Sequence, residues 1–344
     1  MSNNYKTINF KSKLIKTTGN IPDDAIYGKV ISIQSNKVVV ETLDNKIYTC
    51  TLQGTIISNN SKYANIAAAG DNVWFVQKEN SNPAIIKIDN RNNFFSRKDP
   101  GNRNKEQILA ANIDNVLIFT AALRPALNLK FIDRFIIAAT LGGVKPILCI
   151  NKIDLCNKDD KEYLDNVVNI YKNNGIDVFT LSALNKIGFE PILEKIKGTE
   201  SVVTGPSGAG KSTFLNTILG QEVQTVSDIS LRTNKGTHTT SFSRRYRLEN
   251  YTNYSSFLSD DYAKKENKTA LIDTPGIREF GLWNITKDEL YLFFPDFIKY
   301  INNCKFDTCT HTHEPGCAVK EAVEKGELFY ERYESYYNLM MYEL

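Results

Sequence analysis

Three features are missing from this sequence, and each absence narrows the class of protein. No stretch approaches the roughly 20 consecutive apolar residues that a membrane-spanning helix needs. The first residues, MSNNYKTINFKSK, have no apolar segment after their lysines, which argues against a secretory signal and favours the cytoplasm. The net charge is only +3, so charge alone does not indicate a nucleic-acid partner. We therefore expect no membrane partner.

Size and charge distribution say more than the net charge. With 344 residues, the chain can form two or three domains that each have a core. Residues 1–100 contain 13 Lys and Arg against 8 Asp and Glu, whereas residues 321–344 contain six acids against two bases. A basic front half suits a polyanion, although a solvated lysine-rich surface explains the same charges equally well.

The first third of the chain has the pattern of a small β-barrel. Residues 1–20 are polar and aperiodic, which predicts a flexible arm. Residues 21–90 contain about five short β-runs broken by turns, which predicts an OB-fold RNA-binding domain, with an SH3-like barrel as the alternative. Tyr48 and Trp74 are candidates for stacking on RNA bases, or for the barrel core. Residues 91–112 are basic and Asn-rich, which predicts a connector.

From residue 113 to residue 282, apolar strand-like runs alternate with helix-like segments. Val116–Thr120 and Ile147–Ile150 are two of the predicted strands. Such alternation predicts an α/β domain with a parallel sheet and helices on both faces. Residues 252–268 are polar and predict a surface insertion. Residues 283–344 predict a mostly α-helical module, and Leu328, Tyr333, Tyr337 and Met340 are expected to form the packing face of its last helix.

One segment of the α/β region fits a phosphate-binding loop. Gly205 to Ser212 matches G-x-x-x-x-G-K-[ST], follows an apolar strand and opens a helix. The glycines let backbone N–H groups face the phosphates, Lys211 reaches the β- and γ-phosphates, and Ser212 binds Mg²⁺. The loop residues predicted to bind nucleotide are Gly205, Pro206, Ser207, Gly208, Ala209, Gly210, Lys211, Ser212 and Thr213.

Two further motifs predict that the base is guanine. Asn151-Lys152-Ile153-Asp154 follows a strand, and the Asp154 carboxylate can accept hydrogen bonds from guanine N1–H and N2–H₂, donors that adenine lacks. Asn151 should tie this loop to the phosphate loop, and Lys152 should lie along the base. In Ser182-Ala183-Leu184, the Ala183 N–H should contact guanine O6.

Asp273-Thr274-Pro275-Gly276 completes the nucleotide motifs. Asp273 should hold Mg²⁺ through water, and the Gly276 N–H should contact the γ-phosphate. The next residue is Ile277, which cannot orient the attacking water as the glutamine of Ras-like enzymes does. Slow intrinsic hydrolysis is therefore expected.

His238 is the candidate that replaces this glutamine. It lies in Lys235-Gly236-Thr237-His238-Thr239-Thr240, between the phosphate loop and Asp273, where a switch segment supplies a Thr to Mg²⁺. Thr239 or Thr240 would be that ligand, and His238 would orient water as a catalytic residue. Alternatively, His238 is a surface histidine that contacts phosphate or RNA. Nearby bases could contact a polyanion: Arg232, Lys235, Arg244, Arg245 and Arg247.

The C-terminal region carries a metal-binding pattern. Cys304-x₄-Cys309-x-His311-x₅-Cys317 supplies three thiolates and one imidazole, which suits a closed, structural zinc site. His313 is the rival imidazole, but the longer gap from His311 to Cys317 gives the chain more slack. The alternative is a set of reduced cysteines packed as small hydrophobic residues.

The order of the motifs is unusual, because the base-reading motifs precede the phosphate loop. Together these residues resemble the RsgA (YjeQ) family of circularly permuted, ribosome-dependent GTPases. The resemblance implies an N-terminal OB-fold, a permuted GTPase domain at residues 113–282 and a zinc-binding helical module at residues 283–344. It also implies a monomer with GTP or GDP, Mg²⁺ and one Zn²⁺, which acts in late maturation of the bacterial 30S subunit and binds its rRNA.

The motifs that carry the resemblance span nearly the whole chain. Besides the nucleotide and cysteine motifs they are Gly28-Lys29-Val30, Gly70-Asp71-Asn72-Val73, Ala110-Ala111-Asn112-Ile113-Asp114 and Glu314-Pro315-Gly316. Two other functions remain as alternatives. One is a non-catalytic GTP-binding RNA scaffold, which the missing glutamine favours weakly. The other is a permuted GTPase that acts on another ribosomal partner.

Overall fold

The computed structural model of the chain describes residues 21–34, 37–59, 63–77, 81–220, 243–257, 268–274 and 280–343. The predicted arm, most of the predicted insertion, and four predicted site residues lie outside the described residues; the four are His238, Thr239, Thr240 and Gly276. Within the described parts, no helix combines the length and the apolar character needed to cross a membrane.

The N-terminal part is a five-stranded barrel of the OB type. Its strands pair in the order β1-β2-β3-β5-β4, and β4 pairs back with β1. Burial alternates along β2, because one face of each strand points into the barrel. A short helix, α1 (Gly54–Asn59), follows β3. The strands are β1 (Ile26–Gln34), β2 (Lys37–Thr42), β3 (Ile47–Leu52), β4 (Asn72–Val76) and β5 (Ala84–Ile88).

The segment predicted as a connector contains a β-hairpin that the sequence did not predict. Strands β6 (Phe94–Lys98) and β7 (Glu106–Ala111) pair antiparallel in a sheet of their own. Phe95 is fully buried in this hairpin, where its ring stacks on Phe280 at a centroid distance of 5.6 Å. The hairpin therefore packs against the α/β domain through an aromatic side chain.

Arg91, the first residue of the basic segment predicted as a connector, is buried with 1% of its surface exposed. Its Nε donates to Asp71 Oδ1 at 2.7 Å, and its second guanidinium nitrogen donates to Asp71 Oδ2 at 2.7 Å and to the Ile66 carbonyl at 2.6 Å. This bidentate pair fastens the loop before β4 to the start of the hairpin. Gly70 is required in that loop, because a Cβ there would lie 2.1 Å from the Ala111 carbonyl oxygen.

In the residues that the structure describes, the central domain has a six-stranded sheet with helices on both faces. The strands follow the order β10-β9-β8-β11-β13-β12, in which all neighbours are parallel except the antiparallel pair β12–β13. Every residue of β8 is buried, as expected for a strand covered on both faces. The strands are β8 (Asn115–Ala121), β9 (Lys145–Asn151), β10 (Asp177–Thr180), β11 (Glu200–Thr204), β12 (Arg244–Arg247) and β13 (Ala270–Asp273).

Two helices of this domain begin at side-chain caps that the sequence supplies. The Asn128 side chain caps the first of them, and Asn157 and Asp160 form a capping box at the second. The helices are α2 (Leu129–Leu141), α3 (Lys158–Asn173), α4 (Phe189–Lys195), α5 (Lys211–Leu219) and α6 (Thr252–Ser255). Gly142 is the C-cap that ends α2.

The C-terminal module contains 3₁₀ turns and three described helices, namely α7 (Ile298–Ile301), α8 (Ala318–Glu324) and α9 (Tyr330–Tyr342). It shares one apolar cluster with α2 of the central domain. Of the predicted packing face of α9, Met340 is buried and Tyr333 is partly buried against this cluster, whereas Leu328 is buried but precedes the helix. Tyr337 is only half-buried, and the buried residues that the prediction missed are Arg332, Ser335, Tyr336 and Leu339.

Arg332 lies on the buried face of α9 because its side chain packs between acidic and aromatic residues. Its guanidinium donates to Asp133 on α2 and to Asp296 Oδ2 at 3.1 Å, and it lies over the Tyr171 ring at 5.2 Å. Tyr171 in turn donates to Asp133 Oδ1 at 2.8 Å. A charged residue can therefore face the core here because two carboxylates receive it.

We predict that Arg91→Met lowers the free energy of unfolding by about 3–5 kcal/mol, because it leaves the Asp71 carboxylate buried without its cation. Urea unfolding followed by circular dichroism measures the change. Lys46→Met is the matched control: it removes an exposed pair with Asp44 and should leave stability nearly unchanged. Equal losses in both variants would contradict a special role for the buried pair.

Candidate nucleotide site and candidate metal centre

Four parallel strands bring the predicted nucleotide motifs to one edge of the sheet. Strand β9 ends at Asn151, β11 leads into Gly205, and β13 ends at Asp273. Ser182 follows β10, whose neighbour is β9. Because these strands are parallel, their carboxyl ends all lie at the same edge, where α/β sheets bind ligands. The permuted order of the motifs therefore still yields one site.

Asn151 joins three of these loops through one buried side chain. Its Nδ2 donates to the Ala209 carbonyl at 2.9 Å, which ties it to the phosphate loop as the sequence predicts. Its Oδ1 accepts from the Ala183 N–H at 2.8 Å and from the Lys152 N–H at 2.8 Å. The side chain thus uses both ends of its amide. It holds the two base-reading loops at a fixed distance from the phosphate loop.

The base-reading side chains are oriented by their neighbours. Ser182 is fully buried, and its hydroxyl donates to Asp154 Oδ1, while Asp154 itself is exposed. One carboxylate oxygen is thereby fixed, and the carboxylate faces solvent where a base can reach it. The Lys152 backbone is left-handed, with φ of 65°, and its ammonium donates to the Arg124 carbonyl.

The phosphate loop is shaped by close backbone approaches. A Cβ at Gly205 would lie 2.1 Å from the Phe119 carbonyl oxygen, and a Cβ at Gly210 would lie 2.0 Å from Asn151 Nδ2. Both glycines also have positive φ values, of 143° and 90°. Only glycine fits at these two positions, since larger residues would displace β8 or Asn151.

Lys211 is held under this loop rather than in solvent. Its ammonium donates to the carbonyl oxygens of Gly205 and Pro206, both at 2.8 Å. Burial lowers the pKa of Lys211 to about 8, against the attraction of Asp273. A polyanion bound in the loop would favour the charged form, because it supplies the negative charge that the protein interior lacks.

The pKa of Asp273 shifts in the opposite direction, because burial disfavours the charged form of an acid as well as that of a base. Burial raises the pKa of Asp273 to about 6, although Lys211 attracts its charge. Thr274 fixes the end of the strand, since its hydroxyl donates to the Val203 carbonyl at 2.9 Å. A partly buried carboxylate at the end of β13 is a suitable outer ligand for a hydrated cation, and the charge of that cation would keep the carboxylate ionised.

The structure also brings in a loop that the sequence analysis missed. Residues 122–128 connect β8 to α2, and Arg124 in this loop accepts the Lys152 ammonium through its carbonyl. Pro125 lies beside the phosphate loop, because its Cδ is 3.5 Å from the position that a Cβ at Gly208 would occupy. The signal was present: β8 is parallel to β9 and β11, so its following loop must reach the same edge.

Two of the arginines expected to contact a polyanion form ion pairs with glutamates of this chain instead. Arg245 pairs with Glu41 at 3.2 Å and with Glu200 at 2.9 Å, and Arg247 pairs with Glu249 at 2.8 Å. Their charge is thus balanced inside the protein. Arg244 is exposed and lies 5.3 Å from the Tyr246 ring centroid, so it keeps the availability that the sequence suggested.

The predicted metal ligands converge in the C-terminal module. The donor atoms of Cys304, Cys309, His311 and Cys317 all lie within 4.8 Å of one another. His313, the rival ligand, stays outside this group, with a side chain that is 83% exposed. Three thiols and one imidazole in such a cluster can hold a metal ion, so the choice of His311 agrees with the structure.

Polar contacts shape the loop around this cluster. The Glu314 carboxylate accepts from the Thr310 N–H at 2.9 Å and from the Thr312 N–H at 3.1 Å. From α9, the Tyr333 hydroxyl donates to the His311 carbonyl and the Tyr336 hydroxyl to the Thr310 carbonyl, both at 3.0 Å. The helix that enters the central domain through Arg332 therefore also supports the metal loop.

Fold and site together define a circularly permuted P-loop GTPase, in which the base-reading motifs precede the phosphate loop. The chain belongs to the RsgA GTPase family, whose model matches residues 88–283. It is therefore a GTP-hydrolysing enzyme. The non-catalytic scaffold considered from the sequence finds no support in this membership.

Relatives match along most of the chain. It is 35% identical over 314 residues to the small ribosomal subunit biogenesis GTPase RsgA 2 of Bacteroides thetaiotaomicron, a match that covers 91% of this chain and 96% of that protein. It is 32% identical over 344 residues to the small ribosomal subunit biogenesis GTPase RsgA of Haemophilus influenzae, covering 98% and 91%.

Solved structures support the same fold. YjeQ from Thermotoga maritima superposes with a TM-score of 0.64 at 26% identity, covering 92% of this chain and 97% of that one. YloQ, described as a circularly permuted GTPase, gives a TM-score of 0.59 at 26% identity and covers 92% and 94%.

We predict that Gly210→Ala weakens GDP binding at least about tenfold, because the added methyl displaces the Asn151 amide from the loops that it joins. Fluorescent GDP titration measures the affinity. Gly198→Ala is the matched control, since that glycine also has a positive φ, of 69°, but a methyl added there would meet nothing within 4 Å. Equal weakening by the two changes would mean that backbone strain, not Asn151, is responsible.

We also predict that His311→Ala loses its bound metal while His313→Ala keeps it. The reason is that only His311 lies among the three cysteines. Elemental analysis of the purified proteins gives the zinc content per chain. Metal loss in His313→Ala with retention in His311→Ala would reverse the assignment.

Proposed function

We propose that this chain is a GTP-hydrolysing assembly factor that acts in late maturation of the bacterial 30S ribosomal subunit, in the cytoplasm and as a monomer. The observation that carries the proposal is the Asn151 junction of guanine-reading and phosphate-binding loops. It occurs in a chain whose relatives are named small ribosomal subunit biogenesis GTPases. On this proposal the subunit binds the protein through rRNA and stimulates its GTPase.

We propose that the nucleotide is held as the motifs predict. Asp154 accepts from the guanine edge, the Ala183 N–H donates to O6, Ser182 orients Asp154, and Lys152 lies along the base. Asn151 keeps these groups in register with the phosphate loop. The loop residues proposed to contact the phosphates are Gly205, Pro206, Ser207, Gly208, Ala209, Gly210, Lys211, Ser212 and Thr213.

The proposed chemistry is attack of water on the γ-phosphate. Lys211 neutralises charge that develops on the phosphate oxygens, and its burial strengthens that effect. Mg²⁺, when bound, supplies further positive charge there; Ser212 and, through water, Asp273 would hold it. Gly276, His238 and Thr239 or Thr240 lie outside the described residues, and their roles stay as predicted: γ-phosphate contact, water orientation and Mg²⁺ binding.

We propose that the metal of the C-terminal module is one structural Zn²⁺. The donor set of Cys304, Cys309, His311 and Cys317 suits this ion, because thiolate and imidazole are its preferred ligands. Four protein donors complete a tetrahedron, so the role is to fix the loop that α9 supports. No catalytic step is assigned to this centre.

We propose that the barrel contacts rRNA with Trp74 rather than with Tyr48. Trp74 alternates with the buried Val73 and Phe75, so it faces outward, and it packs on Tyr27 with ring centroids 5.0 Å apart. Tyr48 instead packs against Phe75 at 5.0 Å and joins the barrel core. An outward aromatic pair on an OB-type barrel is suited to stack on unpaired bases.

The proposed domain division is the one predicted from sequence. It comprises an arm at 1–20, the OB-fold at 21–90, a connector at 91–112, the permuted GTPase domain at 113–282 and the zinc-binding module at 283–344. The hairpin β6–β7 then belongs to the connector.

We predict that Asp154→Asn changes the base preference of the site from guanine to xanthine. The amide offers one donor and one acceptor, so it loses a bond to the guanine edge but can pair with xanthine, which carries an oxygen at carbon two. GDP affinity should fall roughly a hundredfold or more, and XDP affinity should rise. Calorimetry with both nucleotides measures this. Unchanged GDP binding would remove Asp154 from the base site.

The functional proposal is tested by GTP turnover with and without purified 30S subunits. We expect strong stimulation of the wild type by the subunits. We also expect about a hundredfold lower turnover for His238→Ala at saturating subunits, with GDP affinity unchanged. His313→Ala, an exposed histidine away from the nucleotide loops, is the control. No stimulation of the wild type would refute the ribosomal role, and full activity of His238→Ala would refute its catalytic role.

A further inference from the structure

Strand β12 lies between the nucleotide site and the barrel. On one side it pairs with β13, and Arg244 stands directly opposite Asp273. On the other side, within the described residues, it meets the barrel strand β1 through the backbone bridge from Ser32 to Arg244. Side chains add further contacts between the two domains at this edge.

A network of five charged side chains connects β11 and β12 to the barrel; its members are Lys29, Glu41, Glu200, Arg245 and Arg247. Arg245 on β12 contacts Glu41 of the barrel at 3.2 Å and Glu200 of β11 at 2.9 Å. Lys29 of the barrel contacts Glu200 at 2.7 Å, and Arg247 contacts Glu41 at 3.5 Å. The Arg245 side chain is only 9% exposed, and both glutamates are 16% exposed. Water therefore screens these pairs much less than surface pairs.

The charges are arranged so that Arg245 is the central member. It is the one residue among these five that contacts both glutamates, one from each domain. Burial alone would raise the pKa of Glu200, but attraction to Arg245 and Lys29 outweighs it and lowers that pKa. Glu200 is thus ionised in the fold and engaged from two sides.

The position of the network matters because of where its strands lead. Glu200 opens β11, which runs directly into the phosphate loop at Gly205. Arg245 is adjacent to the residue that faces Asp273, the last residue of β13. Strand β11, which leads into the phosphate loop, and strand β12, which pairs with β13, are therefore both attached to the barrel by the Arg245 side chain.

We propose that Arg245 is a positioning residue, which clamps β11 and β12 to the barrel so that the barrel and the nucleotide site respond to each other's ligands. The proposal deepens the ribosomal function and rests on it for the nature of the barrel's ligand. Coupling between two sites needs an element that both contact, and β12 with its clamp is that element. A purely structural staple would hold the domains together without such coupling.

The first test is hydrogen exchange of the full chain with Mg²⁺ and either GDP or a non-hydrolysable GTP analogue. In the wild type we expect amides of β1 and β2 to exchange at different rates in the two states. In Arg245→Met this difference should disappear from the barrel. Lys195→Met is the control, because it removes a more exposed contact with Asp177, in which the side chains are 35% and 34% exposed, at the opposite edge of the sheet. That variant should keep the difference.

The second test is the stimulation of GTP turnover by purified 30S subunits. We expect Arg245→Met to lose about fivefold or more of the stimulation while its unstimulated turnover stays near that of Lys195→Met. The conservative variant Arg245→Lys, which keeps a positive charge between Glu41 and Glu200, should recover part of the loss seen in Arg245→Met. Such recovery separates a specific contact from general damage to the fold.

The two proposals fail in different ways. If the wild type is not stimulated by subunits, the ribosomal function is wrong, and the exchange experiment still decides the clamp. If the wild-type barrel exchanges identically with both nucleotides, the clamp does not couple the sites. Barrel differences that persist in Arg245→Met would equally overturn the proposal.

Discussion

The nucleotide site depends on one amide side chain. Asn151 donates to the phosphate loop at Ala209 and accepts from the base-reading loop at Ala183, so three segments that are far apart in sequence share one hydrogen-bonding centre. The glycine at position 210 is a consequence, because the amide occupies the space that a Cβ would need. The loops therefore form one rigid pocket rather than three independent ones, and a pre-arranged pocket lowers the entropy lost on binding.

The permuted order of motifs allows other modules to attach at both ends of the central domain. The barrel attaches at the β12 edge through the network centred on Arg245. The C-terminal module attaches to α2 through Arg332 of α9, which contacts Asp133. Helix α9 also supports the metal loop through Tyr333 and Tyr336. Both attachments use a buried or nearly buried arginine between two carboxylates. Such pairs demand accurate geometry, which favours one fixed arrangement of the domains.

Sequence reasoning succeeded where the chemistry is local. The phosphate loop, the Asn151 motif and the spacing of the metal ligands are short patterns whose function requires particular residues at particular distances. The choice of His311 over His313 also followed from local chain geometry. Most strands of the barrel and of the central domain could be predicted because burial on one or both faces imposes alternating or continuous apolar patterns, whereas the arginine-rich β12 has no such pattern.

The parts that sequence reasoning missed depend on contacts between distant segments. Arg91 lies in a basic, polar segment, and no residue near it in the sequence indicates that Asp71, 20 residues earlier, binds it inside the fold. The face of α9 was misread because Arg332 meets Asp133, 199 residues away, and a polar residue in a core position breaks the expected period. The β6–β7 hairpin was hidden for a related reason, since its packing on Phe280 is also non-local.

The most direct test of this account is the choice of base by the unmodified protein. Calorimetric titration of the full chain with GDP and with ADP, each with Mg²⁺, measures that choice. The arrangement of Asp154, Ser182 and Ala183 around Asn151 predicts that GDP binds about 10⁴-fold more tightly, because ADP would leave the carboxylate without a donor. Comparable affinities for the two nucleotides would contradict the account.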